Sequence, residues 1–313
     1  MGYIDLHLHL DGTVTPDIAR QLAVLQEIKL PEEDEDLRKL LMVPASCESL
    51  NDFLKCFELP LSLLQTREGL TEAVRLVSDK LISDRVEYAE LRFAPQLHKD
   101  KGMSQEDAVI AALTGLEKTS LHANLILCCM RGNGNETENY ETLELAHKYL
   151  TDDGGVVAID LAGAEALFPT SDYRELFKRA AEYNIPFTIH AGEADGPGSI
   201  RLAVEYGARR IGHGVRAFED MEVVELLRDK GVTLELCPTS NRMTRAVMNM
   251  ADYPLRRFME AGVKVTLNTD DPGIEGITLA DEYRLMEEIL GLTKEEEEIL
   301  LENARNAAFC SKK

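Results

Sequence analysis

The chain has 313 residues, of which 44% are hydrophobic, and its 56 acidic residues outnumber 34 basic ones to give a formal net charge of −22. This length accommodates one large domain or two ordinary ones. The negative charge argues against nucleic acid or an anionic membrane surface as the main partner, and the lack of a long apolar run argues against a transmembrane span.

The first predicted element is a β-strand within residues 3–12, where aliphatic and polar residues alternate. Because successive side chains of a strand point to opposite faces, we expect the aliphatic face to pack on helices and the polar face to line a polar centre. The two faces are Ile4, Leu6, Leu8 and Leu10, and Asp5, His7, His9 and Asp11. Two imidazoles on one face can bind one metal ion; the alternative is a pair of hydrogen-bonded core histidines.

Seven further strand-like segments follow, and helical stretches separate them. The segments are 88–93, 123–130, 156–160, 186–190, 210–213, 232–236 and 263–268. Helix starts are indicated by Ser104 with Asp107, by Asp220, and by Thr293 with Glu296. Regular alternation of strands and helices predicts a parallel sheet, and eight units predict an α/β fold of the (β/α)8 TIM-barrel type.

One stretch is too long for a single strand–helix unit. Residues about 15–80 carry several helical segments, including 50–64, where one helix would suffice. We interpret this insertion after the first strand as a helical cap over the barrel mouth. The predicted organisation is therefore one metal-dependent domain over residues 1–313, with the cap inside it.

The six cysteines predict no disulfide framework. None of them is spaced as Cys-x-x-Cys, and Cys128 and Cys129 lie in an apolar run typical of buried thiols. The first residues also lack the apolar core of a signal peptide. We therefore expect a reducing compartment, the cytoplasm.

Polar residues stand at the carboxyl ends of several predicted strands, where barrel enzymes place their active sites. His190 ends the fifth strand and Asp270 follows the eighth. Together with His7 and His9 they supply three imidazoles and a carboxylate, a set that suits one Zn²⁺. Fe²⁺, Mn²⁺ or Co²⁺ suit the same ligand types.

Three more residues are candidates for proton chemistry. His213, at the end of the sixth strand, is a candidate base or electrostatic partner for a metal-activated water. Glu193 lies three residues after His190 and can donate a proton, or it can simply interact with backbone N–H groups at a helix start. Asp271 lies in Asp270-Asp-Pro272, which is equally compatible with an ordinary turn.

Five motifs, taken in order, resemble the adenosine deaminase family of the amidohydrolase superfamily, and the resemblance covers nearly the whole chain. They are His7-Leu-His9-Leu-Asp-Gly12, Asp160-Leu-Ala-Gly163, His190-Ala-Gly-Glu193, Gly212-His-Gly214 and Asn268-Thr-Asp-Asp-Pro272. The family implies zinc-dependent hydrolytic removal of a purine 6-amino group.

The resemblance also implies roles for single residues. His7, His9, His190 and Asp270 would hold one zinc ion, and His213 and Asp270 would position the hydroxide that attacks C6. Glu193 would protonate N1. The substrate contacts would be Asp271 to N7, the Gly163 backbone N–H to N3, and Asp11 to a ribose hydroxyl. Ala164 departs from the family, which often has aspartate there.

Several functions remain open at this point. Adenosine and 2′-deoxyadenosine come first, because relatives that act on free adenine tend to have glutamate at the position of Asp11. Adenine and modified adenines, such as N6-methylated ones, are the alternatives within the fold. A metal-dependent phosphoesterase and an inactive barrel used for binding are alternatives of a different class. The predicted partner is a small-molecule purine nucleoside, and the sequence predicts no oligomeric state.

Overall fold

The computed structural model describes residues 2–44 and 55–310. Cys47 and the first residues of the predicted helical segment 50–64 lie outside these ranges. Within them, no helix combines the length and apolar character needed to cross a membrane.

Eight parallel strands form the centre of the part that the structure describes. They are β1 (Tyr3–His9), β2 (Val86–Phe93), β3 (His122–Met130), β4 (Val156–Ala162), β5 (Thr188–Ala191), β6 (Arg210–His213), β7 (Thr233–Leu236) and β8 (Lys264–Leu267). The first four pair in sequence order, as do the last four. Parallel bridges between Ile159 and Phe187 and between Leu8 and Asp270 join the two groups. The predicted (β/α)8 barrel is confirmed.

Helices cover the barrel and connect its strands. They are α1 (Pro16–Leu25), α2 (Asp34–Leu41), α3 (Glu58–Leu63), α4 (Arg67–Ser83), α5 (Gln105–Leu116), α6 (Glu136–Tyr149), α7 (Arg174–Glu182), α8 (Pro197–Tyr206), α9 (Met221–Lys230), α10 (Pro238–Met243), α11 (Leu255–Glu260), α12 (Pro272–Glu275), α13 (Leu279–Leu290) and α14 (Lys294–Ala307).

The predicted helix starts are confirmed. Ser104 caps α5 and Thr293 caps α14, each in a reciprocal capping box, and Asp220 caps α9. Each cap accepts a backbone N–H that would otherwise lack a partner at the first helical turn. Local sequence therefore determines where these helices begin.

The pairing of β1 with its neighbour is less regular than its alternating sequence. The pairing of β1 with β2 shifts register between Asp5 and Leu8, which is the mark of an irregular strand. The four aliphatic residues are buried in two apolar clusters. Leu8 and Leu10 join the main core, whereas Ile4 and Leu6 pack against residues at the end of α14.

The end of the chain closes the barrel at the side where the strands begin. The backbone N–H of Phe309 donates to Oε1 of Glu90 at 2.7 Å, and Nη1 of Arg210 donates to the carbonyl of Ala307 at 3.1 Å. The guanidinium of Arg210 lies 3.9 Å from the centre of the Phe309 ring. The opposite end, where the strands finish, is therefore the end available to a ligand.

Four described helices, α1 to α4, lie between β1 and β2. Thr66 caps the start of α4, because its hydroxyl accepts the backbone N–H of Gly69. The long α4 packs against α5 as well as β2, as a barrel helix does. The interpretation of residues 15–80 as a mouth-covering cap stays a prediction.

Candidate active site

Three histidines and one aspartate converge where the strands end. Nε2 of His9 lies 3.3 Å from Nε2 of His190 and 3.4 Å from Oδ1 of Asp270. Nε2 of His7 lies 3.2 Å from the same oxygen. Ligand atoms about 2.0–2.1 Å from a tetrahedral Zn²⁺ are separated by about 3.3–3.4 Å, so the four side chains are spaced like the ligands of one ion.

Carboxylates behind the histidines determine which ring nitrogen faces the centre. Nδ1 of His7 donates to Glu235 at 2.6 Å, and Nδ1 of His190 donates to Asp160 at 2.9 Å. Each ring therefore presents the lone pair of Nε2. Nε2 of His7 is buried without a hydrogen-bond partner, although it faces the acceptor Oδ1 of Asp270. Two buried acceptors at this distance repel each other unless a cation lies between them, so the residues fit a metal ion.

A charged layer lies beneath the histidines, buried inside the barrel. Nη1 and Nη2 of Arg92 donate to Asp160 at 2.9 Å and to Glu235 at 3.0 Å. Arg210 contacts the other oxygen of Glu235 and also Glu90. The positive charges of Arg92 and Arg210 hold the pKa of Glu235 well below its usual range, although burial alone would raise it. Glu235 therefore stays a carboxylate that orients His7.

His213 also reaches the centre, but through a different hydrogen-bond pattern. Nitrogen and oxygen atoms of His7, His190, His213 and Asp270 lie within 4.8 Å of one another. The amide nitrogen of Asn241 lies 3.0 Å from Nδ1 of His213. Because that amide donates, Nδ1 accepts and Nε2 carries the hydrogen. This tautomer makes His213 a hydrogen-bond donor towards the centre and favours the electrostatic role over that of a base.

Tyr253 fixes the orientation of this amide, since its hydroxyl donates to Oδ1 of Asn241 at 2.9 Å. The Nε2 of His213 lies 3.7 Å from Oδ2 of Asp270 and 3.5 Å from Oε2 of Glu193. His213 thus lies between the aspartate and the glutamate. Neither Asn241 nor Tyr253 was recognised from the sequence, because nothing local links them to His213.

Two of these residues adopt an uncommon backbone conformation. His213 has φ 62° and Asp270 has φ 68°, in the left-handed region that costs a residue with a Cβ about 1–3 kcal/mol. Such conformations concentrate at functional sites, where the surrounding structure holds a side chain in position. Here they turn both side chains into the mouth just as their strands end.

Gly212 lets the histidines approach the β6 backbone. A Cβ at this position would lie 2.9 Å from Cε1 of His7 and 3.2 Å from Cα of His190. We expect Gly212→Ala to lower the free energy of unfolding by about 1–3 kcal/mol through overpacking, measured as a lower urea midpoint. Gly198→Ala is the matched control, since a Cβ there meets no atom within 4 Å. Equal midpoints for both variants would contradict the close packing.

Glu193 lies on the loop after β5, and its side chain is one-fifth exposed. The hydroxyl of Thr244 donates to its Oε1 at 2.9 Å. Glu165 holds the loop itself by accepting the backbone N–H groups of residues 192–195. The sequence indicated Glu193, but the supporting roles of Thr244 and Glu165 depend on contacts 51 and 28 residues away in the chain.

A pocket of about 670 Å³ opens beside these groups, a size in the range of small-molecule sites. One wall is polar and the rest is largely apolar. Its lining includes every remaining residue predicted to contact substrate, namely Asp11, Gly163 and Asp271, and it also includes Ala164, Phe57 and Leu61. Ala164, at the position where the family often has aspartate, therefore lines the pocket.

Two acidic residues of this wall differ from ordinary carboxylates. Burial, together with the charge of Asp270, holds the pKa of Asp271 well above its usual range, and its Oδ1 is buried without a hydrogen-bond partner. Burial raises the pKa of Asp11 to about 6. A protonated Asp271 can donate a hydrogen bond to an acceptor atom in the pocket.

Comparison with known proteins agrees with this arrangement. A family model described as adenosine deaminase matches residues 3–313. A protein of Haemophilus ducreyi named adenosine deaminase is 51% identical over 317 aligned residues, which cover 99% of this chain and 92% of the relative. An Enterococcus faecalis protein of the same name is 38% identical, and the alignment covers 98% of this chain and 92% of that relative.

Two proteins with solved structures of similar fold are named as deaminases of adenine or of a modified adenine nucleotide. The adenine deaminase of Arthrobacter aurescens superposes with a TM-score of 0.86 at 31% identity, covering 99% of this chain and 94% of that one. The N6-methyl-AMP deaminase of Arabidopsis thaliana has a TM-score of 0.84 at 27% identity, covering 100% of this chain and 93% of that one. Similar Arabidopsis structures are complexes with GMP or IMP, so neighbours of this fold bind small-molecule nucleotides.

Proposed function

The chain belongs to the adenosine deaminase family, and from that premise we propose that it deaminates adenosine and 2′-deoxyadenosine to inosine and 2′-deoxyinosine. As a member it is a hydrolase of C–N bonds in cyclic amidines. The observation that carries the proposal is the convergence of three imidazoles and one carboxylate beside Glu193 and His213 in a pocket of about 670 Å³.

One Zn²⁺ per chain is the proposed cofactor, held by His7, His9, His190 and Asp270. The unpartnered Nε2 of His7 facing Oδ1 of Asp270 supports this ligand set. When bound, Zn²⁺ would lower the pKa of a water molecule from about 15.7 towards 7 and supply a hydroxide nucleophile. His213, whose Nε2 carries a hydrogen, is proposed as an electrostatic partner of that nucleophile and not as a ligand.

The surrounding side chains would manage the protons of the reaction. His213 and Asp270 would aim the attacking oxygen at C6, and Glu193 would deliver a proton to N1, so that negative charge does not build up on the ring. One proton of the attacking water would pass to the amino group, and the other would return to Glu193, which had given its own proton to N1. The C6–N6 bond would then break, and ammonia would leave with inosine as the second product.

The pocket wall supplies the proposed substrate contacts. Asp271, with its raised pKa, would donate to N7 of the purine. The backbone N–H of Gly163 would donate to N3, and Asp11 would accept from a ribose hydroxyl. Phe57 and Leu61 would cover the ring from the region of residues 15–80, which supports the helical cap within a single domain spanning residues 1–313.

Removing the Asp11 side chain should impair turnover of the nucleoside much more than turnover of the free base. We expect Asp11→Ala to lower kcat/KM for adenosine about 10–100-fold, since a hydrogen bond to a charged group contributes about 1.5–3 kcal/mol. Turnover of adenine, which lacks ribose, should change little. Asp17→Asn, an exposed change at the start of α1, is the control. An equal loss with both substrates would contradict the ribose contact.

The direct test is the ultraviolet absorbance of adenosine incubated with purified protein of known metal content. Conversion to inosine shifts the spectrum, and His190→Ala should abolish the shift together with the metal in this site. No change with adenosine, 2′-deoxyadenosine or adenine, in protein that holds metal, would overturn the proposal.

Adenine is the second candidate substrate, because a structure at 31% identity is an adenine deaminase. N6-methylated nucleotides follow from the similarity at 27% identity. A substrate panel with both compounds separates the candidates by kcat/KM. The relative at 51% identity favours adenosine.

We also propose that the reaction takes place in the cytoplasm. Cys128, Cys129 and Cys237 are buried thiols outside any disulfide, and thiols persist in a reducing compartment. The small-molecule nucleoside is the proposed partner, in keeping with the net charge of −22.

A further inference from the structure

A second group of metal-ligand side chains lies at the opposite end of the barrel from the active site. His122 is the first residue of β3, Asp153 lies in the turn before β4, and Cys310 follows α14. These residues come from segments far apart in the sequence. Their ligand atoms all lie within 4.8 Å of one another.

The three side chains meet at one point. Nε2 of His122 lies 2.7 Å from Oδ1 of Asp153, and Sγ of Cys310 lies 3.2 Å from the same oxygen and 3.9 Å from the same nitrogen. A catalytic relay would use both ring nitrogens in series, one towards the thiol and one towards the carboxylate. Convergence on a single nitrogen is instead the geometry of shared coordination.

The separations fit a tetrahedral ion after small movements. Ligand atoms at the usual Zn–N, Zn–O and Zn–S distances are about 3.3–3.8 Å apart, against 2.7, 3.2 and 3.9 Å here. Imidazole, carboxylate and thiolate together select a borderline-soft cation over Mg²⁺ or Ca²⁺. The side chain of His122 is 45% exposed, so an ion can enter from solvent.

We propose that His122, Asp153 and Cys310 bind one divalent cation of the zinc type through Nε2, Oδ1 and Sγ. Water completes the fourth position, and the thiol proton leaves to solvent as the metal binds. The ion ties the end of the chain to the starts of β3 and β4. Its role is therefore structural, and it is separate from the hydrolytic site and from the proposed reaction.

Neighbouring groups prepare the carboxylate for this role. The amide nitrogen of Asn124 donates to Oδ1 of Asp153 at 3.3 Å and to the hydroxyl of Tyr88 at 2.9 Å. The ring of Tyr88 packs edge-on against His122, with centroids 4.8 Å apart. Burial would raise the pKa of Asp153, but hydrogen bonds from His122 and Cys310 hold it below its usual range.

The test uses Co²⁺ as a spectroscopic probe of fully reduced protein whose active-site metal is in place. A thiolate ligand to Co²⁺ produces a charge-transfer band, which the histidine and aspartate ligands of the active site cannot produce. We expect the band to saturate at one Co²⁺ per chain and to vanish in Cys310→Ser. His122→Ala removes a half-exposed side chain and leaves the core intact. It should weaken Co²⁺ binding at least tenfold.

Matched controls keep the test specific. Cys129→Ser removes a buried thiol that donates to the backbone carbonyl of Asn139, and His147→Ala removes a histidine stacked on Tyr183. Both variants should keep the band. Zn²⁺ should raise Tm in the parent but not in Cys310→Ser. No band in the parent with all thiols reduced, or a band that persists in Cys310→Ser, would overturn the site.

Adenosine turnover is measured on the same samples as an independent readout. We expect Cys310→Ser and His122→Ala to deaminate adenosine as the parent does. The thiolate band does not depend on turnover, so the structural site and the deaminase function can each fail without the other.

Discussion

Glu193→Gln is expected to reduce kcat for adenosine by about 10²–10⁴-fold, the range for loss of a positioned general acid. Glutamine keeps the shape of the side chain and can still accept from Thr244, whose hydroxyl lies 2.9 Å from Oε1. It cannot deliver a proton to N1 of the purine. The measurement is steady-state kinetics with adenosine, together with metal analysis of the same sample.

The metal content should be unchanged, because Glu193 lies outside the four converging ligand atoms. Asp195→Asn tests whether any change in this loop has the same effect; the side chain of Asp195 caps the N–H of Gly196 at 2.7 Å and does not line the pocket. Loss of the active-site metal in Glu193→Gln, or a loss of kcat as large in the control, would refute the proton-donor role.

Glu235→Gln is expected to lower the free energy of unfolding by about 3–5 kcal/mol, since it removes the shared partner of two buried arginines. Arg92 and Arg210 have 0% and 1% exposed side chains and both contact Glu235. The substitution is close to isosteric, so it isolates the charge from packing. The urea midpoint, followed by circular dichroism, measures the loss.

A second consequence concerns the metal. Because Glu235 accepts from Nδ1 of His7 at 2.6 Å, the weaker acceptor in Glu235→Gln should reduce metal affinity about 10–100-fold. Glu225→Gln on the exposed face of α9 is the control and should change stability by less than about 0.5 kcal/mol. A parent-like midpoint in Glu235→Gln would mean that the charged layer does not stabilise the fold.

The alternatives of a different class fit the site poorly. A binuclear phosphoesterase needs a further ligand from the middle of the barrel, and the end of β4 is the natural place for it. Asp160 instead accepts hydrogen bonds from Arg92 and from Nδ1 of His190, and it lies behind the ligand atoms. A barrel retained only for binding has no need of the four converging ligand atoms kept here.

Much of the site was predictable because barrel geometry converts sequence position into spatial position. His190 and His213 lie at the ends of β5 and β6, Asp270 follows β8, and parallel strands finish at one end of a barrel. Their proximity therefore follows from topology without any knowledge of side-chain contacts. The caps at Ser104 and Thr293 were predictable for a simpler reason, since their partners lie three residues away.

Other features depend on contacts between distant segments. One is the register shift in the pairing of β1 with β2, because strand pairing rather than local pattern decides register. The tautomer of His213 depends on Asn241, which belongs to α10. The pairing of His122 with Cys310 spans 188 residues.

The sequence by itself determined the fold class, the family and the residues that carry the chemistry, because hydrophobic periodicity and strand-end motifs are local properties. Only the tertiary structure decided which nitrogen of each histidine faces the centre, which carboxylates remain charged, and that a second cluster forms where the strands begin. Those properties arise from burial and from hydrogen bonds between segments that meet only after the barrel has closed.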